Sequence, residues 1–352
     1  MGKVTIKQVA ERAGVSIATV SRVLNNNLTV DAALAEKVLD AARELDYRTA
    51  LPVRSGREMG GGLIAFMAPS LQNTYFSTVV LGVIETARKN GQNVIVMSSD
   101  SDHRQEVACL RSLVGTPVEG LILSTIDEVN PLEQVPELHR LPVVVAARRE
   151  IVPNAPHIYA DNVSAGYIAT KYLLRLRRRR IALFLNFWTN DIHDYDTFLM
   201  RHQSVAQGSC TAYDRYTGYV RALEEEGLAV DPNLVVYSGF DHESGYESAQ
   251  ALLASPHQFD AVLVSNDRCA TGVLRLFHEQ RINVPDQISM ICFNGGLTAS
   301  VVSPPITMVE QDNYELGVRA ASQLNELIHG RPAGDVKIDV SLLIRGSTAL
   351  QE

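Results

Sequence analysis

The segment TIKQVAERAGVSIATVSRVLN, residues 5–25, carries the strongest structural signal in the chain. Thr5 and Gln8 fit a capping box, in which two side chains satisfy the first backbone N–H groups of a helix. Gly14 ends that helix because glycine accepts the left-handed conformation of a C-cap. Ser16 then begins a second helix. Two helices joined by a short turn that contains glycine indicate a helix-turn-helix head.

Apolar residues recur at helical spacing through this head and predict its core. Because an α-helix repeats every 3.6 residues, such spacing places these side chains on one face of each helix. The expected inner positions are Ile6, Val9, Ala10 and Ala13; then Val20, Val23 and Leu24; then, in a third helix capped by Asp31, Leu34, Val38, Ala41, Ala42 and Leu45.

The outer face of the second helix carries side chains suited to DNA. Ile17 and Ala18 lie near the helix N-terminus, where an apolar side chain can contact a thymine methyl. Arg22 can donate two hydrogen bonds to one guanine, at O6 and N7. Short polar side chains bind phosphate oxygens, and the candidates are Ser16, Thr19, Ser21 and Asn25. We therefore expect this helix to enter the major groove of double-stranded DNA.

Charge is distributed unevenly along the chain. The whole sequence has 32 Lys and Arg residues against 40 Asp and Glu residues, a net charge of −8. Residues 1–60 contain nine basic and seven acidic residues, so this part carries +2 and the remainder carries −10. A head with a net positive charge, followed by a body with a net negative charge, indicates that only the head binds a polyanion.

Composition and motif searches exclude several classes of protein. Hydrophobic residues make up 46% and charged residues 20%, which is typical of a globular chain. The N-terminus lacks a signal-peptide core, and no apolar run approaches the roughly 18 residues of a membrane span, so we expect a bacterial cytoplasmic, nucleoid-associated protein with no membrane partner. The four cysteines form no CxxC pair, and HExxH, GxSxG and Walker motifs are absent. We expect no metal, no cofactor and no enzymatic activity.

From residue 63 onward, short apolar runs alternate with helical stretches. Continuous apolar strands separated by helices indicate parallel sheets covered on both faces, and about 290 residues favour two such α/β lobes with doubly wound sheets. The predicted strands are Leu63–Ala68, Asn93–Ser98, Gly120–Ser124, Pro142–Ala146, Ile181–Asn186, Leu234–Tyr237, Ala261–Ser265 and Ser289–Phe293.

Open parallel sheets bind ligands beyond the carboxyl ends of their strands, so polar and aromatic residues there are candidates for a small-molecule site. They include Asn73, Tyr75, Phe76, Asp100, Arg148, Asp161, Asn162, Asn266, Asp267 and Asn294. Asp and Asn are also common helix caps, which is the alternative explanation for each one singly. Arg215 and Asp267 form the more specific pair, since guanidinium and carboxylate groups together recognise sugar hydroxyls.

The head from Val4 to Asn25 closely resembles the lac-repressor/galactose-repressor family, and the similarity continues through the body. The body motifs are Ala160–Asn162, Asp214–Tyr219, Gly239–Tyr246, Ser265–Asp267, Phe293–Asn294, Thr307…Gln311 and Leu343–Thr348. The resemblance implies a homodimeric transcriptional regulator that binds a pseudo-palindromic operator and a small effector, expected to be a sugar. It also implies that Arg215 and Asp267 hold ligand hydroxyls, that Phe240 stacks on the ligand, and that Asn266, Asn294 and Gln311 add hydrogen bonds.

The same resemblance sets the domain boundaries. It implies a head at 1–48, a hinge at 49–61 and an effector and dimerisation domain at 62–352. Within that domain we expect one lobe from about 62–161 and 294–321, and a second from about 162–293 and 322–352. Thr5 in the head, with Leu51 and Arg54 in the hinge, completes the set of expected DNA contacts.

The hinge departs from the family pattern. Gly56 stands where the family has a leucine that wedges into the DNA minor groove, and Pro52 is acceptable only in a first helical turn. Glycine also lowers helix stability by about 1 kcal/mol relative to alanine. We expect weaker DNA bending than the family norm, unless Leu51 or Val53 supplies the wedge. A full family-like kink that survives Leu51→Ala and Val53→Ala would contradict this.

Two further segments differ from the family. Arg175 and Arg177–Arg180 form a basic cluster, which we interpret as a solvated helix end or, alternatively, as a second nucleic-acid contact. The stretch Phe187–Ala212 is longer than its family equivalent. The side chains of Trp188, His193 and His202 either point into the cleft between the two predicted lobes or belong to a surface loop.

Three other functions are alternatives; the head and the missing signal-peptide core argue against the first, and the residues do not exclude the third. The body by itself permits a solute-binding protein, a sugar-modifying enzyme would need an acid/base pair that the sequence does not offer, and a nucleobase effector is compatible with the same cleft.

Overall fold

The computed structural model describes residues 5–24, 32–45, 62–126, 130–188, 192–205, 210–294 and 296–351. The chain divides into two compact units, Met1–Gly61 and Gly62–Glu352. Each unit has its own hydrophobic core. None of the helices in these described ranges is long and apolar enough to cross a membrane.

The first unit contains the helices α1 (Ile6–Ala13), α2 (Ile17–Leu24) and α3 (Ala32–Glu44). Gln8 accepts a 2.8 Å hydrogen bond from the backbone N–H of Thr5, which is the glutamine half of the capping box. Gly14 follows α1 with φ 67°, the left-handed conformation that its lack of a Cβ permits. The prediction of a helix-turn-helix head is confirmed.

The core of this unit is built from one valine of each helix: Val9, Val20 and Val38 are all fully buried. Ala41 and Ala42 extend this core along α3. Leu34, which the periodicity predicted inside, is 38% exposed. Val38, one turn further along α3, is fully buried.

The second unit contains two sheets, whose strands in the described residues are numbered in chain order. The first sheet consists of β1 (Leu63–Ala68), β2 (Asn93–Ser98), β3 (Gly120–Leu123), β4 (Val143–Ala146), β5 (His157–Ala160) and β11 (Val336–Ile338). The second consists of β6 (Ile181–Asn186), β7 (Val235–Ser238), β8 (Ala261–Val264), β9 (Ser289–Phe293), β10 (Thr307–Gln311) and β12 (Val340–Leu343).

The strand orders are β11-β5-β4-β3-β1-β2 and β12-β10-β9-β8-β6-β7. All pairings are parallel except that β12 runs antiparallel to β10. The helices of this unit are α4 (Thr74–Lys89), α5 (His103–Ser112), α6 (Asn162–Arg175), α7 (Tyr195–Ser204), α8 (Thr211–Glu224), α9 (His242–Ala254), α10 (Asp267–Glu279), α11 (Leu297–Val301) and α12 (Asn313–Ile328). Short 3₁₀ turns lie at Pro131–Gln134, Pro136–Leu138 and Pro232–Leu234.

Both sheets are covered on both faces, as the continuous apolar strands predict. Side chains alternate across a strand, so Phe66 of β1 joins the cluster under α4 and α12 while Met67 joins the cluster under α5. In the second sheet, Leu183 faces α6 and α8, and Phe184 faces α9 and α10. The predicted fold of two doubly wound α/β lobes is confirmed.

The lobes exchange chain segments at different places from those predicted. Residues 294–321 were expected in the first lobe; the first half of α12 does pack there on α4, but β10 pairs with β9 in the second sheet. Residues 322–352 were expected in the second lobe; β12 does pair with β10 there, but the end of α12 and β11, which pairs with β5, belong to the first. The apolar face of α12, with Leu316, Ala320 and Leu324, explains this because it completes the core under the first sheet.

The arginine cluster before β6 is not a solvated helix end throughout. Arg178 is only 1% exposed. Its guanidinium donates to the backbone carbonyls of Pro285 at 2.9 Å, of Asp286 at 3.0 Å and of Gln287 at 3.0 Å, and it also reaches Ala349. Arg178 therefore fastens the loop before β9 and the C-terminal segment to the second lobe.

The segment 187–212 is an ordered part of the second lobe wherever it is described. Phe198 of α7 is fully buried and packs edge-to-face against Tyr216, with ring centroids 4.8 Å apart. His202 bonds Thr217 at 3.0 Å and stacks on Phe198, so it supports α7 and does not line the cleft. Burial lowers the pKa of His202.

Candidate functional site

The outer face of α2 is accessible in the first unit. Ile17 is 49% exposed, and Ala18 and Arg22 are also exposed, while Val20 between them is fully buried. This alternation follows from the helical period, which turns Val20 toward α3 and its neighbours away from it. All three side chains proposed to contact base edges are therefore free of the unit's core.

The hydroxyls on this face also have local partners. Ser16 Oγ accepts from the backbone N–H of Thr19 at 3.1 Å and lies 2.9 Å from the Thr19 hydroxyl, so it caps α2. Thr5 Oγ1 similarly lies 3.1 Å from Gln8 Oε1, and Ser21 is half-buried. Asn25, Leu51 and Arg54, as well as Pro52 and Gly56 of the hinge, lie outside the described residues.

A cavity of about 300 Å³ opens between the two lobes of the second unit. Its walls come from segments that follow strands of both sheets, which is where open parallel sheets present polar groups. Eight of the eleven predicted effector residues line it: Tyr75, Phe76, Arg148, Arg215, Phe240, Asn266, Asn294 and Gln311.

The three predicted aspartates are not among its lining residues. Asp161 caps α6 through the backbone N–H of Ser164 at 2.9 Å and pairs with Lys337 at 3.1 Å. Asp100, in a left-handed conformation with φ 48°, accepts from the Ser98 hydroxyl at 2.9 Å. The cap explanation is thus the right one for Asp161.

Asp267 is fully buried and bridges the lobes from behind the cavity. Its Oδ2 lies 3.4 Å from the hydroxyl of Thr74, at the start of α4 in the first lobe, and accepts from the N–H of Gly296 at 3.2 Å. Its other oxygen accepts from the N–H of Arg268 at 2.9 Å. Arg215 lines the cavity and Asp267 does not, and the expected pairing of the two around one ligand stays a prediction.

Arg215, on α8, is the most deeply buried cation of the cavity, with 3% of its surface exposed. Its Nε donates to Asn162 Oδ1 at 3.2 Å, its Nη1 donates to the carbonyl of Ser265 at 2.8 Å, and the guanidinium stacks 4.3 Å above the ring of Phe293. Burial lowers the pKa of Arg215 to about 10. Burial likewise raises the pKa of the adjacent Tyr75.

The close approach of α6 to α8 positions this arginine. Gly166 faces the backbone of Arg215 so closely that a Cβ there would lie 2.1 Å from the Arg215 carbonyl oxygen. Reciprocally, a Cβ on Gly218 would lie 2.0 Å from the carbonyl of Val163. The two glycines let the helix axes come close enough for Arg215 to reach Asn162.

Four buried polar atoms of the lining residues have no hydrogen-bond partner. Two are donors, Arg215 Nη2 and Asn266 Nδ2, and two are acceptors, Asn186 Oδ1 and Asn294 Oδ1. Their orientations are fixed from the other side: Asn266 Oδ1 caps α10 at 2.8 Å from the N–H of Cys269, and Asn186 Nδ2 donates to the carbonyl of Gly239. Buried polar groups are nearly always paired, so these atoms are available to hydrogen-bond a polar ligand in the cavity.

An aromatic stack forms one wall of the cavity. The rings of Trp188 and Phe240 lie 3.8 Å apart with an interplanar angle of 17°. Trp188 belongs to the second lobe by sequence but packs against the core cluster of the first, so it crosses the cleft. One face of Phe240, which was expected to stack on the ligand, is therefore covered by Trp188.

Asn73 and Asn162, two further polar residues predicted after strands, also line the cavity, whereas Asn186 and Arg201 were not predicted. Asn162 Oδ1 accepts from both Arg215 and Gln311, the latter at 3.1 Å. Within the described residues, no three His, Cys, Asp or Glu side chains converge as metal ligands.

Comparison with known proteins gives consistent matches along the chain. A family model described as bacterial regulatory proteins, lacI family, matches residues 5–50, and one described as a periplasmic binding protein-like domain matches residues 170–348. The HTH-type transcriptional regulator RegA of Clostridium saccharobutylicum is 32% identical over 328 residues, 92% of either chain. This relative is a transcriptional regulator and not an enzyme.

Two solved structures share the fold. A transcriptional regulator CelR–cellobiose complex has a TM-score of 0.68 at 25% identity, covering 98% of this chain and 99% of the other. The lac repressor dimer bound to operator and the anti-inducer ONPF has a TM-score of 0.68 at 24% identity, covering 99% and 100% of the two chains.

Proposed function

The chain belongs to the LacI family of DNA-binding transcriptional regulators, and from this we propose that it is a homodimeric repressor whose operator affinity is set by a sugar-like effector bound between its lobes. The proposal that an effector binds in the cleft depends on one observation. Four buried polar atoms there have no hydrogen-bond partner, on Asn186, Arg215, Asn266 and Asn294.

For the head, we assign α2 to the major groove of a pseudo-palindromic operator. Ile17 and Ala18 contact thymine methyls and Arg22 reads guanine, while Thr5, Ser16, Thr19, Ser21 and Asn25 hold phosphates, with Leu51 and Arg54 of the hinge beside them. The exposure of Ile17, Ala18 and Arg22 supports this assignment. Two heads related by a two-fold axis match two half-sites, as in the operator-bound dimer of the same fold.

For the body, the cavity suits a small polyhydroxylated molecule. Two unpartnered donors and two unpartnered acceptors complement hydroxyl groups, because each hydroxyl both donates and accepts. The volume of about 300 Å³ is at the lower end for ligand pockets, so a single sugar unit fits better than a longer chain. A related regulator of the same fold was solved with cellobiose, which supports the sugar class.

Ligand binding connects to the arrangement of the lobes through Asn162. Asn162 begins α6 directly after the crossing from β5, and Gln311 ends β10 directly before the crossing to α12. Because Asn162 Oδ1 accepts from both Gln311 and Arg215, a ligand that bonds Arg215 acts on two of the crossings between the lobes. The ligand shifts DNA affinity by its differential affinity for the two lobe arrangements.

Trp188 provides the test because it is the only tryptophan of the chain and lines the cavity. The full-length protein is titrated with neutral sugars, sugar acids and nucleobases while the Trp188 emission is recorded. An operator is selected from a random duplex library, and its affinity is measured by fluorescence anisotropy with and without the ligand. We expect a sugar-class ligand to change both the emission and the operator affinity.

Two variants of one helix serve as a matched pair. Arg215→Met removes the cavity guanidinium and keeps an apolar stem against Phe293, whereas Arg221→Met changes an exposed arginine of the same helix. We expect only Arg215→Met to weaken the sugar response, by at least about tenfold. The sedimentation rate of the full-length protein tests whether it is a homodimer. No response to any sugar, or a response only to nucleobases, refutes the sugar effector.

A further inference from the structure

We infer that the free edge of the second sheet is a docking site for a partner protein, which adds an extended segment rich in Lys or Arg as a further strand beside β7. The site is a groove of about 700 Å³ along β7, here called the β7 groove, and it is more than twice as large as the effector cavity. Its described lining shares one residue, Phe187, with that cavity. A protein partner at this site goes beyond the proposed function and does not depend on it.

The β7 groove follows the edge of the sheet and not one of its faces. All four residues of β7 line it, together with residues of α9 and of the segment before α7. These two elements lie on opposite faces of the sheet: Val236 of β7 packs toward α9 and α10, whereas Tyr237 and Ile192 pack toward α6 and α8. Because the lining comes from both layers, the groove opens between them, on the side of β7 that faces away from β6.

The backbone of β7 can accept another strand. β7 is the last strand of its sheet, and within the described residues it pairs with β6 alone. An edge strand presents N–H and C=O groups that no neighbouring strand uses, and natural proteins usually protect such an edge with a charge or a proline. The sequence of β7, Val-Val-Tyr-Ser, contains neither. An extended segment can therefore bind here through main-chain hydrogen bonds, as in other cases of strand addition to a sheet edge.

Tyr237 gives the β7 groove a hydrogen-bond donor. It lines the groove, and its hydroxyl is buried without a hydrogen-bond partner. Burial raises the pKa of Tyr237, with a further increase from its neighbours Tyr195 and Asp194, so the phenol is protonated at neutral pH and available to donate. Buried polar atoms are nearly always paired, and a backbone carbonyl of a docked segment supplies the acceptor.

The charge of the β7 groove favours a basic partner. Asp194 and Glu247 line it, and no Lys or Arg is among its described lining residues. Asp194 accepts from the N–H of Thr197 at 2.8 Å, and this bond lowers the pKa of its carboxyl, so the side chain stays charged. Glu247 is exposed and has no ion-pair partner among the residues that the structure describes. Lys or Arg side chains of a docked segment complement these two carboxylates.

The chain neighbours of the lining do not reverse this sign. Residues 189–191 and 206–209 lie outside the described residues, and their sequences, Thr-Asn-Asp and Ala-Gln-Gly-Ser, contain no Lys or Arg. His193 and His257 also line the groove. Binding is therefore measured at about pH 8, where histidine is ordinarily neutral.

The first experiment measures whether the edge of β7 is free in the full-length protein. Hydrogen–deuterium exchange of the backbone amides is compared between β7 and β6, which is paired on both sides. We expect the fastest amides of β7 to exchange at least about tenfold faster than those of β6, because they have no partner strand. Exchange as slow as that of β6 would show that a second copy or another part of the chain covers the edge, and it would overturn the docking site.

The second experiment finds and measures a segment that binds. Random dodecapeptides displayed on phage are selected on the full-length protein at physiological salt, and the selected peptide is labelled with fluorescein for anisotropy measurements. We expect peptides with several Lys or Arg residues, and we expect a bound peptide to slow the exchange of the β7 amides. A copy of the peptide with every backbone nitrogen methylated keeps its side chains and charge but cannot donate main-chain hydrogen bonds, so it should bind at least about tenfold more weakly.

Two matched pairs of variants locate the bound peptide. Ala251 is exposed on α9 and lines the β7 groove, whereas Ala254 is exposed on the same helix and does not. Ala251→Phe fills the groove and should weaken the peptide at least about tenfold, while Ala254→Phe should leave its affinity unchanged. Glu247→Gln should weaken a basic peptide about threefold or more, while Glu243→Gln, at an exposed position of α9 outside the groove, should not. Urea midpoints confirm that each variant is folded.

Three results of the selection would overturn this docking site. A methylated copy that binds as tightly as the selected peptide, or a peptide that ignores Ala251→Phe, contradicts strand addition at β7. Selection of acidic or uncharged peptides alone contradicts the basic partner. Failure to select any peptide contradicts the site itself. None of these results bears on the effector or on DNA binding, which the titrations of the full-length protein test separately.

Discussion

Replacing Gly166 by alanine tests whether the close contact of α6 and α8 holds the cleft in shape. The added Cβ would lie 2.1 Å from the carbonyl oxygen of Arg215 and 2.9 Å from its carbonyl carbon, far inside the 3.4–4 Å of ordinary contact. Both neighbours are backbone atoms, so no side-chain rotation relieves the overlap and one helix must move.

Two effects of opposite sign decide the size of the change. Alanine in a helix interior is favoured over glycine by about 1 kcal/mol. Forcing the backbones apart costs about 1–3 kcal/mol, as overpacking of a core does. Because both overlaps are with backbone atoms, the steric cost lies in the upper part of that range, at about 2–3 kcal/mol. We therefore expect a net loss of about 1–2 kcal/mol, which lowers the urea midpoint by about 0.3–0.7 M for a slope near 3 kcal/mol per M.

Trp188 fluorescence reports both unfolding and ligand binding in this assay. Gly334→Ala is the control for the substitution itself, since nothing lies within 4 Å of its added Cβ, and it should be neutral or stabilising by up to about 1 kcal/mol. Gly317→Ala is the control for location, since its Cβ would lie 2.0 Å from the carbonyl of Val79, in the first lobe.

We expect Gly166→Ala and Gly317→Ala to lose similar stability, but only Gly166→Ala to weaken effector binding, because it displaces Arg215. A Gly166→Ala protein as stable as Gly334→Ala would refute the close-contact reasoning. Equal loss of ligand affinity in both destabilised variants would show that Gly166 has no special relation to Arg215.

Three further outcomes are expected. Arg22→Ala should weaken operator binding by about 1–3 kcal/mol in anisotropy measurements, whereas Lys37→Ala on α3 should not, and equal losses would contradict base reading by Arg22. Arg178→Met should lower the urea midpoint by the equivalent of about 3 kcal/mol because all the backbone carbonyls that the guanidinium bonds lose their donor, while the exposed Arg179→Met should stay within about 0.5 kcal/mol of the wild type. The N–H of Ser244 donates to Asp241 and lowers the pKa of that carboxyl, so its stabilising effect is present at neutral pH and is lost as the pH falls through the folded pKa. Asp241→Ala should therefore destabilise near neutral pH but not at about pH 2, and a pH-independent difference would refute this.

Most strands of the two sheets were predictable, including β2 at a sheet edge, and the short strands of mixed polarity were not. β1, β2, β6 and β9 have the predicted bounds. β5, β11 and β12 lie at or next to a sheet edge, are three or four residues long, and include polar residues such as His157 and Lys337. A short strand of mixed polarity acquires its pairing from the neighbouring strand, which the local sequence does not reveal.

The types of residue that line the cavity were predictable. Which carboxylates face it was not. The rule that ligands lie beyond strand ends located Arg148, Asn266, Asn294 and their neighbours. Asp161 follows the same rule but turns its oxygens to the N-terminus of α6. Whether an Asp at a strand end serves a ligand or a helix depends on side-chain direction, and that is set by tertiary packing.

The unpartnered atoms of the cleft also explain how a small ligand could control the lobes. A ligand that bonds such a buried polar atom in one lobe arrangement only gains about 1–3 kcal/mol of differential affinity from it. Four such atoms on Asn186, Arg215, Asn266 and Asn294 amount to several kcal/mol. Moving a two-state equilibrium from 1:99 to 99:1 requires about 5.5 kcal/mol of differential affinity. A ligand that satisfies all four atoms in the closed arrangement, and fewer in an open one, has a differential affinity of this size without any contact to the DNA-binding head.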